Sequence, residues 1–203
     1  NSFHEYRDTL VRMKRDGHAI GNHTLNHYNL SNISSEKILH ELDENQNLFY
    51  WETGIYHRMT LIRPAHGYPW WNPVPDWNRA RIGRILRTRG VLILWTPHFD
   101  STDSMEWVRG EWYEKGTRVY EGDVEFREKM NRIYNRLVSR ADGRGIVILM
   151  HDTHPTTKEI LPHIILALKQ KGYSFATIED YVKWRWGISS AKMVDMQLQK
   201  FIR

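Results

Sequence analysis

Gly145-Ile-Val-Ile-Leu-Met-His-Asp152 is the stretch that decides the fold class. Ile146 to Met150 is an unbroken apolar run, short enough for a buried strand and rich in aliphatic residues. Apolar residues then recur at helical spacing from Thr157 to Lys171, and Tyr173-Ser-Phe-Ala-Thr177 is extended again. Strand, helix and strand in that order predict a right-handed crossover unit with parallel strands. The polar His-Asp pair closes the first strand, at the place where parallel α/β folds collect their chemistry.

The same alternation continues outward in both directions. Toward the N-terminus, Val124 to Arg140 is predicted helical. Pro97 to Gly122 is Trp- and charge-rich without a clear period and reads as a long loop, with Ser104 to Glu121 resembling an insertion. Val91 to Trp95 is a strand, and Asp76 to Arg89 is a helix stopped by Gly90. Met59-Thr-Leu-Ile-Arg63 is a buried strand broken by Pro64, and Ser35 to Glu52 is a helix stopped by Gly54. His18 to His23 is short and extended, and Ser2-Phe-His-Glu5 has the form of a capping box opening a helix that ends at Gly17. Toward the C-terminus, Ile178 onward is helical with a break at Gly187. The expectation is an α/β domain over residues 1–187 and a helical tail over 188–203. The series opens on a helix, so a closed α/β barrel would need at least one strand before residue 1.

Composition narrows the function. The chain has 203 residues, 40% of them hydrophobic and 26% charged. Such a chain is expected to form one globular domain. Its longest apolar runs are far below the ~20 residues of a membrane span. It has no cysteine, which excludes disulfide scaffolds, thiolate zinc sites and cysteine nucleophiles. The net charge of +5 comes from scattered basic residues with no long run, so nucleic acid is not an expected partner. Nine Trp stand out, seven of them between Trp51 and Trp112, a residue type that fills cores or stacks on sugar rings.

Four polar clusters sit where predicted strands end. His23-Thr-Leu-Asn-His27 has two histidines at i, i+4, a spacing that puts both imidazoles on one side of a helical turn, within reach of one metal ion. Arg63-Pro-Ala-His-Gly67 puts a bidentate-capable guanidinium beside a rigid turn with backbone N–H groups. Asp100-Ser-Thr-Asp103 is, taken alone, a solvated acidic loop. Leu149-Met-His-Asp152 offers a strand-end histidine, a candidate general acid or base.

Together, and in this order, these clusters resemble the polysaccharide deacetylases, the NodB-homology family also called carbohydrate esterase family four. The H-T-x-x-H motif corresponds to His23 to His27, and R-P-x-x-G to Arg63 to Gly67. D-x-x-D corresponds to Asp100 to Asp103, and L-x-H to Leu149 to His151. The resemblance runs from about residue 5 to Tyr181.

It implies a distorted (β/α)7-type barrel, here without its first strand or strands. It also implies a divalent metal, Zn2+ or another such as Co2+, with His23 and His27 as ligands. The reaction implied is removal of N-acetyl or O-acetyl groups from a polysaccharide such as peptidoglycan or a chitin-like polymer. His151 would protonate the leaving group with Asp103 orienting it, and a backbone N–H near His66 would stabilise the oxyanion. Arg63 would hold the catalytic base. Leu149 would line the acetyl pocket, and Gly67, Tyr68, Trp70 and Trp71, with His66, would contact the sugar. Family members mostly act outside the cytoplasm, on walls or secreted polymers. The family's first motif, T-F-D-D, which supplies the base and a third metal ligand, has no counterpart in this sequence, and no Asp-Asp pair replaces it. Two expectations follow: an N-terminal segment carrying that pair lies outside the chain, or the protein is a carbohydrate-binding member of the same fold that does not turn over substrate.

Overall fold

Helix caps written into the sequence set the element boundaries. Helix α1 (Arg7–Arg15) precedes α2 (Ser35–Thr53). The Ser34 hydroxyl accepts the Lys37 N–H at the start of α2. Gly54, at φ 71°, ends that helix in the left-handed conformation that glycine adopts freely. Strand β1 (Leu61–Ile62), α3 (Asp76–Arg87), β2 (Val91–Ile93), α4 (Val124–Val138) and α5 (Pro155–Gln170) follow. Thr177 and Asp180 form a reciprocal capping box that opens α6 (Ile178–Trp186), then come α7 (Ser190–Asp195) and β3 (Phe201–Ile202). The computed structural model describes residues 5–71, 74–103, 124–196 and 201–202. The residues before Glu5 in the expected capping box, and the insertion-like stretch from Ser104 to Glu121, lie outside them.

The chain divides into two units. The first comprises Asn1–Leu94 and Ala176–Ile202. Its sheet is parallel in the order β1-β2-β3, with Leu61 opposite Val91 and Ile62 opposite Leu92. Asn22 extends the pairing as an isolated parallel bridge to Ile62. Because side chains alternate along a strand, Ile62 and Leu92 pack with Leu30, Ile38, Leu42, Ile82 and Leu86. Leu61, Val91 and Ile93 pack on the other face with Val182 and Met193. Both faces are therefore covered by helices, as a parallel sheet requires. Among its described residues, the expected helical tail is helical only in α7, whose Met193 is 1% exposed in this core, and it ends as strand at β3.

Gly90 lets β2 approach β1. A Cβ there would lie 2.8 Å from both the Thr60 carbonyl oxygen and Ile62 Cγ1. We expect Gly90→Ala to destabilise the protein by about 1–3 kcal/mol in denaturant titration through this overpacking. Gly145→Ala, where the added methyl meets nothing within 4 Å, should be near neutral. Equal stability of the two variants would refute this account of the β1–β2 approach.

The second unit is centred on residues Trp95–Phe175. α4 and α5 enclose a core of Phe99, Ile133, Leu137, Ile160, Ile164 and Leu168, against which Ile146, Ile148 and Met150 pack. The segment expected as a strand over residues 146–150 is extended but forms no full ladder. It makes one parallel bridge, Leu149 to Asp100, and the Val147 N–H is taken by the Thr96 hydroxyl at 2.9 Å in place of a carbonyl. Residues 173–177 also form no ladder, and Phe175 is 53% exposed. Among the described residues, parallel pairing amounts to one three-stranded sheet and two isolated bridges.

Candidate active site

In the first unit, the site begins at Asn22. Its backbone joins β1, and its side chain accepts the Thr24 N–H at 2.9 Å while donating to the Leu42 carbonyl at 2.9 Å. Glu41, fully buried on α2, accepts both the backbone N–H of Asn26 (2.7 Å) and its side-chain amide (2.8 Å). These anchors hold a loop in which Thr24 (φ 68°) and His27 (φ 57°) adopt left-handed backbone conformations. Such strain in residues other than glycine persists only where surrounding structure enforces it.

The anchored loop aims two imidazoles at each other. His23 Nδ1 lies 2.6 Å from the Arg63 carbonyl oxygen. That oxygen can only accept, so Nδ1 carries the proton and the lone pair stays on Nε2. His27 Nε2 is 3.1 Å from that Nε2. Two nitrogens bound to one tetrahedral zinc stand about 3.3 Å apart, so the pair fits a shared divalent ion. The histidines of the first motif thus meet, but across a loop with left-handed residues at 24 and 27 and not on a helical turn as the i, i+4 spacing suggested. The turn of the second motif lies beside them: His66, also left-handed (φ 55°), packs edge-on against His27 at 4.4 Å between ring centroids. Gly67 and Tyr68 direct their N–H groups to the carbonyls of Pro64 and Ala65. Trp70 packs against the core between α2 and α3, whereas Trp71 is 39% exposed.

In the second unit, Asp103 follows a tight turn at Thr102 (φ 53°) closed by the Asp100 carboxylate. Its side chain is wholly buried. Oδ1 accepts from His151 Nδ1 at 2.7 Å, and Oδ2 accepts the His151 backbone N–H at 2.7 Å and the Thr157 hydroxyl at 2.5 Å. Burial pushes the carboxyl upward. The hydrogen bonds from His151, Thr157 and Ser101 outweigh it and hold Asp103 well below the usual carboxylate range. Asp103 is therefore a carboxylate whose partner imidazole carries its proton on Nδ1, and the opposite nitrogen, Nε2, is the one available for chemistry. Leu149, 7% exposed, pairs with Asp100 one step before this site.

His154 is a residue that the motifs do not single out. It stands at the N-cap of α5 with its ring 5.7 Å from that of His151, and burial pushes its pKa down. The sequence does hold a signal for it: a histidine three residues after His151, directly before a proline suited to a helix's first turn. Asp103, His151 and His154 bring one ligand atom each within 4.8 Å of one another. Hydrogen bonding commits the Asp103 oxygens to His151 and Thr157, which favours an acid–base pair over a cation cage at this position.

The histidine pair of the first unit and the buried Asp–His pair of the second are the residues that carry the resemblance to the polysaccharide deacetylases. Residues 1–79 match the family model described as polysaccharide deacetylase, which supports the resemblance carried by the motifs. It is 27% identical over 179 residues to a peptidoglycan-N-acetylglucosamine deacetylase of Bacillus cereus, covering 87% of this chain and 68% of that protein. Several other curated relatives are spanned over only 29–55% of their length. Among solved structures, the polysaccharide deacetylase Bc1974 from Bacillus cereus superposes with a TM-score of 0.61 at 25% identity, covering 86% of this chain and 73% of that one. The fold is also shared with BA3943, a CE4 family pseudoenzyme from Bacillus anthracis (TM-score 0.58, 22% identity, 88% of this chain and 51% of that one).

Proposed function

We propose that the chain deacetylates an N-acetylated polysaccharide, with peptidoglycan the foremost candidate, and that His151 is its general acid. The observation that carries this reading is the buried Asp103–His151 pair, whose geometry leaves one imidazole nitrogen to deliver a proton to a leaving amine. His23 and His27 would hold a divalent metal, zinc or another such as cobalt. When bound, such an ion supplies Lewis-acid polarisation of the acetyl carbonyl. A backbone N–H at the His66 turn would add a donor to the developing oxyanion. Leu149 would border the acetyl methyl, Tyr68 and Trp71 would contact the sugar, and Trp70 would support them from the core. Arg63 would position an acidic base, although the chain has no Asp-Asp pair to serve as one.

That last fact supports a second reading, a carbohydrate-binding member of the fold without turnover. The site of action in either case is proposed to be extracytoplasmic, as for enzymes that modify walls; no helix among the described residues is long and apolar enough to cross a membrane. Incubating the zinc-loaded chain with N-acetylglucosamine oligomers and with peptidoglycan, and quantifying acetate, separates the readings. Acetate release that stops with chelator supports the deacetylase. Sugar binding that survives chelator, with no acetate, supports the binding protein and overturns the first reading.

A further inference from the structure

We propose that Thr157 is a positioning residue that sets the proton affinity of the His151 ring by acting through Asp103. The proposal rests on the reading of His151 as general acid, but its physical content is confined to three side chains of the second unit. Threonine hydroxyls inside helices commonly bond back to a carbonyl of the preceding turn. Thr53 does so in this protein, donating to the Phe49 carbonyl at 2.6 Å, and Thr88, just past α3, donates to that of Ile85 at 2.7 Å. Thr157 instead turns its hydroxyl to Asp103 Oδ2 at 2.5 Å, although it sits in the first turn of α5 and is 4% exposed.

The consequence lies in how the carboxylate charge is shared. Oδ2 receives the Thr157 hydroxyl and the His151 N–H, while Oδ1 faces the His151 ring. Donors on Oδ2 draw negative charge away from Oδ1 and so weaken its hold on a protonated imidazole. The downward displacement of the Asp103 carboxyl, to which Thr157 contributes, agrees with this sharing. A general acid works best when it can release its proton near the operating pH, so how its carboxylate partner shares its charge matters. Ionisable groups close to His151 include His154 at the α5 N-terminus, its ring 5.7 Å away, and Asp152, its chain neighbour. Both are left in place by a change at Thr157, so the comparison below isolates the hydroxyl.

The test compares Thr157→Val, which keeps shape and removes the donor, with Thr157→Ser, which keeps the donor. The His151 ring resonance is followed by NMR across pH in the full chain, with thermal melting as a folding control. We expect the His151 titration midpoint to move to higher pH by about half a unit or more in the valine variant, the direction that loss of a donor to its carboxylate partner dictates. The serine variant should stay near the parent. If T157V does not fold, T157A carries the same comparison. An unmoved midpoint in the folded variant, or a serine variant that behaves like valine, overturns the proposal. The readout needs no turnover, so a chain that releases no acetate would refute the deacetylase reading and leave this result standing.

Discussion

Replacing His151 with alanine should reduce acetate release by roughly two to four powers of ten, the usual contribution of a positioned general acid. The size of the effect follows from how completely the ring is committed. Its Nδ1 is tied to a carboxylate with no solvent exposure, and the ring itself is 30% exposed, so Nε2 is the nitrogen that can meet a substrate. His154 is a neighbouring imidazole but a poor replacement, because burial disfavours its charged form and hence its use as an acid. The variant also leaves Asp103 Oδ1 without its ring partner, while Oδ2 keeps the backbone N–H and Thr157. A buried carboxylate short of one hydrogen bond costs stability of about 1–3 kcal/mol. Melting of His151→Ala should therefore be measured beside its kinetics. A folded variant that retains full activity would remove His151 from the mechanism.

Some of this is legible in the sequence and some is not, for identifiable reasons. Helix stops are local, so Gly54 and Gly187 mark helix ends in sequence and structure alike. The buried run Val91-Leu-Ile is equally plain, because a strand covered on both faces needs no alternation. Ladder formation is not local. The run over residues 146–150 is as apolar as β2, yet the Thr96 hydroxyl takes a position where a backbone carbonyl would continue the pairing. Residues 173–177 are strand-like in type but lack a ladder partner among the described residues, and propensity alone does not supply one. At the site, the spacing of His23 and His27 and the motif around His151 point to side chains that the structure sets in contact with each other or with Asp103. What spacing could not show is the support beneath them. Glu41, fifteen residues downstream of Asn26, and Thr157, fifty-four downstream of Asp103, are joined to the motifs only by the fold. Their residue types alone have the ordinary meaning of a helical Glu and a helical Thr.

The second large effect concerns the histidine pair. His23→Ala should lower zinc affinity by at least about a hundredfold, since loss even of an outer partner of a metal ligand costs up to that much and His23 is proposed as a ligand itself. His27 calls for a different substitution. Its backbone stands at φ 57°, so alanine would add strain to the loss of the imidazole. Asparagine tolerates the left-handed region, and His27→Asn therefore isolates the ligand effect. His27→Asn should melt close to the parent, because Asn22, Asn26 and Glu41 anchor the loop without that imidazole, whereas His23→Ala also loses the hydrogen bond to the Arg63 carbonyl and should cost about 1 kcal/mol. Competition with a chromophoric chelator, at a pH where imidazole is neutral, gives the affinity directly. Parallel losses in the two variants would establish one ion shared between them, consistent with ring nitrogens 3.1 Å apart. Zinc binding unchanged in both would mean that the pair is held together by a hydrogen bond alone, and that any metal used by this protein is bound by other groups.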